Sequence, residues 1–144
     1  MARFIKILPA LALIGAAVPA TAATPRVSQT GEAKLAEALK GRVAGKPVDC
    51  INLRNARSSQ VYDGTAIVYE DGRTLYVNRP TSGADSLRRD DILITKLWGG
   101  DRLCRIDTIR LLDQGSRFEH GFVGLGQFVF EGTALATTGR DACC

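Results

Sequence analysis

His120 is the only histidine of the chain, and it follows a carboxylate in Phe118-Glu119-His120-Gly121. An imidazole titrates near neutrality, so one beside a carboxylate is the pairing that general acid–base catalysis uses. Asp107 is a second acid of interest, because it falls inside a run from Cys104 to Leu112 that reads as one apolar strand. If buried there it needs a partner, and Arg54 or Arg105 is the natural one. Asp107, Glu119 and His120 are therefore the parts of a small carboxylate-dependent hydrolase, provided that the fold brings them to one pocket. The chain contains no Gly-x-Ser-x-Gly elbow and no second histidine to share a metal.

Other motifs weigh less. Asp90 and Asp91 are adjacent at a strand entry, so their side chains point to opposite faces and are badly placed to share one scissile bond. They also lack the spaced oxygens and the glycine of a calcium loop. Their expected work is to offset Arg88 and Arg89 and to cap the strand. Gly121-x-x-Gly124-x-Gly126 has neither the spacing nor the following helix of a dinucleotide loop, and reads as a bulge or sharp bend in a strand. On these grounds the sequence assigns no catalytic, cofactor-binding or metal-binding residue.

The four cysteines are Cys50, Cys104, Cys143 and Cys144. Four thiols allow three complete pairings. Cys50 and Cys104 each open an apolar-alternating run, so two strands of one core would bring them within bridging distance. We expect a Cys50–Cys104 disulfide, and an unpaired Cys143-Cys144 end on a Gly- and Thr-rich tail. Two adjacent thiols without histidine partners are a poor zinc site.

The elements that must position these groups are mostly strands. One helix is expected just after a polar, disordered lead-in at 23–30: Thr30 can cap it, Glu32 suits its first turn, Leu35 and Leu39 share a face, and Gly41 suits the left-handed position after its end. Residues 61–78 read as a hairpin, with Asp71-Gly72 as the two central residues of its turn. That register sets Glu70 opposite Arg73, Val68 opposite Leu75 and Ala66 opposite Val77. Both faces carry apolar residues, so one should meet the core and the other a second sheet or the helix. Asp63-Gly64 suggests a further turn one strand earlier. Residues 79–90 form a polar loop, Ile92 to Leu97 a strand, Trp98-Gly99-Gly100-Asp101 a turn, and Phe122 to Phe130 a strand with its three phenylalanines on one face. Short strands at regular spacing predict a mainly β fold, either a small antiparallel barrel or a two-layer sheet, with one N-terminal helix.

The amino terminus reads as a secretory signal peptide over residues 1–22. Arg3 and Lys6 form its basic region, Ile7 to Val18 an uncharged stretch of about 12 residues, and Ala20-Thr21-Ala22 the processing site. That stretch is short of the ~20 residues a membrane span needs. No Leu-x-x-Cys precedes the site, which argues against a lipid-modified end. Removing Arg3 and Lys6 from the 19 basic residues leaves 17 against 15 acidic ones, a net charge of +2. The basic residues are scattered, so no nucleic-acid footprint is visible. What remains is a single β-rich domain over 31–131 followed by a flexible tail at 132–144, without a membrane span. The expected location is the periplasm or the medium.

The segments GRVAGKPVDCINLR, TLYVNRP, LRRDDILIT, LCRIDTIRL and GFVGLGQFV resemble a group of small uncharacterised exported bacterial proteins. The likeness runs from Gly41 to Glu131, and the group has no assigned activity to carry over. Its members often close the last strand with a Pro-aromatic segment, where this chain has Phe-Glu-Gly and a Cys-Cys tail. The functional expectation is an exported non-enzymatic module that uses no cofactor and binds a protein, glycan or small ligand of the cell envelope or exterior. Its loop at 79–90 is the natural carrier. The alternative is the periplasmic hydrolase of Asp107, Glu119 and His120.

Overall fold

A computed structural model describes residues 28–97 and 100–133. The one α-helix among the described residues, α1 (Gln29–Ala38), starts earlier than its sequence suggests: Ser28, not Thr30, is its cap, accepting from Gly31 N–H at 3.4 Å through its side chain. Ten strands follow: β1 (Arg42–Val48), β2 (Cys50–Asn52), β3 (Ser58–Tyr62), β4 (Ala66–Asp71), β5 (Thr74–Asn78), β6 (Asp91–Thr95), β7 (Arg102–Cys104), β8 (Thr108–Asp113), β9 (Glu119–Gly124) and β10 (Phe128–Thr133). They form antiparallel sheets of five (β1-β10-β5-β4-β3), three (β6-β8-β9) and two strands (β2-β7). None closes into a barrel, so of the two expected architectures the layered one holds.

The five-stranded sheet is covered on both faces. Alternation along β3 and β4 sends Tyr62, Ala66 and Val68 toward α1, where they pack with Leu35 and Val77. Val61, Ile67 and Tyr69 point the other way and pack with Phe128, Ile109, Leu111 and Val123, the last three from the three-stranded sheet. Burying side chains of this size contributes about 1.5–3 kcal/mol each. Gly31 sets how closely α1 can dock, since a Cβ there would lie 2.0 Å from the Asp63 carbonyl oxygen.

The β4–β5 hairpin forms two residues out of the expected register. Asp71 pairs with Thr74 and Val68 with Val77, so the turn is centred on Gly72-Arg73. Gly72 alone of these two takes a positive φ, 61°, which is the pattern of a II′ turn. Glu70, expected opposite Arg73, instead accepts from the Ser58 hydroxyl at 2.8 Å. A shift by two keeps every side chain on its expected face, whereas a shift by one would have reversed them.

Two strands read as continuous are broken. The Cys104–Leu112 run divides into β7 and β8 at a turn containing Asp107, whose backbone N–H donates to Cys104 O at 3.0 Å. The Phe122–Phe130 run divides into β9 and β10, which lie in different sheets. Phe122 is consequently exposed while Phe128 is buried, although they were expected on one face. Buried Asn78 holds the crossing, donating to Gly126 O at 2.7 Å and accepting from Gly126 N–H at 3.2 Å.

Cys50 and Cys104 face each other in the β2–β7 ladder with Cα atoms 4.0 Å apart, and their sulfurs are bonded. The signal segment, Trp98-Gly99, and the tail with Cys143 and Cys144 lie outside the described residues. No helix among those described is long and apolar enough to cross a membrane.

Candidate functional site

The three hydrolase candidates do not come together. Asp107 sits in the turn before β8, half-buried, and its Oδ2 accepts from Cys104 N–H at 2.7 Å. It therefore closes a turn instead of lying within a strand. The arginines proposed for it are engaged elsewhere, Arg54 with Asp101 at 2.6 Å and Arg105 with Asp49 at 3.1 Å. Glu119 and His120 lie at the other end of the β8–β9 ladder, where Leu112 pairs with Glu119. Four residues of strand, about 13 Å, separate the two ends.

Nor do Glu119 and His120 act on each other, because neighbours on a strand point to opposite sides. Glu119 chelates Arg110, and that guanidinium holds its carboxyl below the usual range. His120 instead turns inward, with Nε2 2.7 Å from Oδ1 of Asp91. The Asp91 side chain is 1% exposed, and its other oxygen accepts from Arg88 N–H at 2.8 Å. The pair closes β6 against β9 across β8. The strand-entry role expected of Asp91 holds, as does the Arg89–Asp90 pairing at 3.9 Å. The histidine partner was missed, although the neighbour rule applied to Asp90-Asp91 would also have excluded Glu119. Among the described residues no group of His, Cys, Asp and Glu is arranged to hold a metal ion.

The 79–90 loop is a strap pinned at both ends. Arg79 makes a bidentate pair with Glu32 of α1 at 2.7 and 2.8 Å, which holds the Glu32 carboxyl below its ordinary range. Thr81 N–H donates to Gly124 O, Leu87 is buried, and Arg89 N–H donates to Asp63 Oδ1 at 2.6 Å. The glycines of the 121–126 motif make room for this strap. A Cβ on Gly124 would meet Ser82 Oγ at 2.6 Å, and one on Gly126 would meet Arg79 O at 2.4 Å. Close approach, together with the break between sheets, is what they serve.

A cavity of about 290 Å³ opens elsewhere, where the β3 edge of the five-stranded sheet looks toward β6. Leu53, Ala56 and Arg57 come from the β2–β3 connection, Ser58 and Ser59 from the start of β3, and Leu93 and Thr95 from β6. Ser59 pairs with Tyr69 across β3 and β4, so both stand on the face turned to the three-stranded sheet. Leu93 and Thr95 pair with Leu111 and Ile109, so they point inward to meet them. Tyr69 lines the cavity, is 4% exposed, and packs edge-on against Phe128 with ring centroids 6.0 Å apart. Its hydroxyl has no hydrogen-bond partner among the described residues. Burial pushes the phenol well above its ordinary range, so it is a neutral donor at every physiological pH. A buried polar atom left unpaired costs about 1–3 kcal/mol.

Alternation along 61–78 sets Tyr69 on the face opposite Val68 without saying which layer that face meets, and it misses the hydroxyl, since pairing across strands far apart in the chain decides which donors go unmet. No family model, curated protein or solved structure matches the chain.

Proposed function

We propose that this protein is an exported, non-enzymatic module that binds a small ligand in the cavity beneath β3 and β6, in the periplasm or outside the cell. The observation that carries the ligand site is the buried, unpaired hydroxyl of Tyr69 at a cavity lined by apolar Leu53, Ala56 and Leu93 and by polar Arg57, Ser58, Ser59 and Thr95. Ligand sites pair apolar surface with placed polar groups, and this one supplies both, with polar side chains making up half of its lining. Separation of Asp107 from Glu119 and His120, each with its own hydrogen-bond partner, supports binding over hydrolysis. Export is supported by the signal-like segment at 1–22 and by the Cys50–Cys104 bridge, since such bridges form where thiols oxidise.

Thermal unfolding in the presence of a small-molecule extract from the exporting cell's envelope and medium tests the reading. A rise in Tm that is absent in Ala56→Trp, a variant that plugs the cavity, is the expected result. An extract that leaves Tm unchanged, or that stabilises both proteins equally, removes the assignment. Mass spectrometry of the exported fraction tests location: a chain cut after Ala22 or Ala23 is expected, and an intact Met1 chain in the membrane would overturn it.

A further inference from the structure

The cavity has one charged wall residue, Arg57. Its backbone N–H donates to Glu70 O at 2.8 Å, which fixes the chain at the head of β3, but its guanidinium has no ion pair or hydrogen bond among the described residues. No ion pair joins it to either nearby acid, Glu70 or Asp71. Glu70 alternates with Tyr69 along β4 and so stands on the opposite face of the sheet, where it takes the Ser58 hydroxyl. Arg57, just before β3, lines the cavity together with Ser59 and Tyr69. The Ser59 and Thr95 hydroxyls, both at the cavity wall, also have no side-chain partner among the described residues. The cavity thus presents an unpaired cation, the Ser59 and Thr95 hydroxyls, apolar surface from Leu53, Ala56 and Leu93, and the Tyr69 side chain with its buried neutral hydroxyl.

Resting on the small-ligand reading, we propose that the ligand is a small carboxylate: its anionic end pairs with Arg57 at the rim, its short apolar body lies between Leu53 and Leu93, and an acceptor at its far end takes the Tyr69 hydroxyl hydrogen. Guanidinium suits this role because its fork of N–H donors matches a carboxylate's two oxygens. The cavity volume of about 290 Å³ sits at the small end of ligand sites and suits a body the size of a single ring or short branched chain. Water barely reaches the Tyr69 oxygen, so the far acceptor meets the phenol only once the side chains around it give way.

Three probes separate these contacts: 4-hydroxybenzoate carries the anion and the far acceptor, benzoate only the anion, and 4-hydroxybenzamide only the acceptor. Each is titrated into protein purified after expression of the full chain, with binding read from the NMR signals of Ser59, Thr95 and the Leu93 methyls. Arg57→Gln and Tyr69→Phe are titrated beside it. We expect 4-hydroxybenzoate to bind about tenfold more tightly than the amide, as one charge-assisted hydrogen-bonded pair implies. Arg57→Gln, an exposed position that leaves the fold intact, should erase that difference, and Tyr69→Phe should erase the advantage of 4-hydroxybenzoate over benzoate. Acid and amide binding equally well at these signals would overturn the carboxylate assignment while leaving a small-ligand site standing. If no probe shifts them the carboxylate assignment also fails, and the broader reading is then decided by the extract experiment.

Discussion

Replacing both bridging cysteines, Cys50→Ser with Cys104→Ser, should cost this domain about 4 kcal/mol. The bridge closes a segment with a sequence separation of 54 residues. In the chain-entropy relation a loop of that length restricts the unfolded ensemble by roughly 14 cal/mol/K, or about 4 kcal/mol at 25 °C. The native structure offers little to offset the loss. The β2–β7 sheet has three residue pairs, and two strands of that length do not persist without further support. Ile51 and Leu103, the middle pair, are buried in the main core, so separating the strands would also expose that end of it. Urea unfolding of the oxidised protein and the double variant, followed by far-ultraviolet circular dichroism, measures the difference. The variant should also show a larger m value, because its unfolded chain is free to expand. At about 4–8 °C per kcal/mol for a domain near 100 residues, its Tm should fall by roughly 15–30 °C. A loss under about 1 kcal/mol, with the bridge verified in the parent by non-reducing peptide mapping, would refute the reasoning. It would mean that the unfolded chain is already constrained across this segment without the bridge.

Tyr69→Phe should leave the ligand-free protein as stable as the parent or up to about 2 kcal/mol more stable, since it removes an unpaired buried hydroxyl and keeps the ring. A drop in Tm would reveal a partner for that oxygen. Asn78→Ala should cost about 2–4 kcal/mol, because it strands both the N–H and the carbonyl of Gly126 at the crossing between sheets; a loss under 1 kcal/mol by urea titration would contradict this. Gly31→Ala would ordinarily stabilise a helix by about 1 kcal/mol, but a methyl 2.0 Å from Asp63 O must push α1 off the sheet. A lower Tm is expected, and a higher one would show that the contact yields. The Glu32 carboxyl is held low chiefly by its hydrogen bonds to Arg79, so its contribution is present above the unfolded value near 4.3 and fades as pH falls through the folded one. Since both side chains are about half exposed, at 51% and 43%, the effect is at most about 1 kcal/mol. Glu32→Gln should flatten that acidic limb of the stability–pH profile, and an unchanged limb would remove the pair from the account.

Most of what the sequence determined is local. Period-two alternation placed Val68 and Tyr69 on opposite faces, and that assignment survived a turn centred one residue later than expected, because a register shift of two leaves faces unchanged. The β class, the single helix and the matching contexts of Cys50 and Cys104 were legible for the same reason: each depends on neighbours within a few residues. Tertiary structure decided the rest. Asp107 closes a turn, the Phe122–Phe130 run crosses between sheets, and the 121–126 glycines make room for a strap whose approach no local pattern encodes. His120 finds Asp91 from 29 residues away, and the Tyr69 hydroxyl finds no hydrogen-bond partner among the described residues. Hydrogen-bond satisfaction belongs to the packed layers as a whole, so a donor left unmet, and with it the candidate site, becomes visible only once the strands have been paired and the sheets brought face to face.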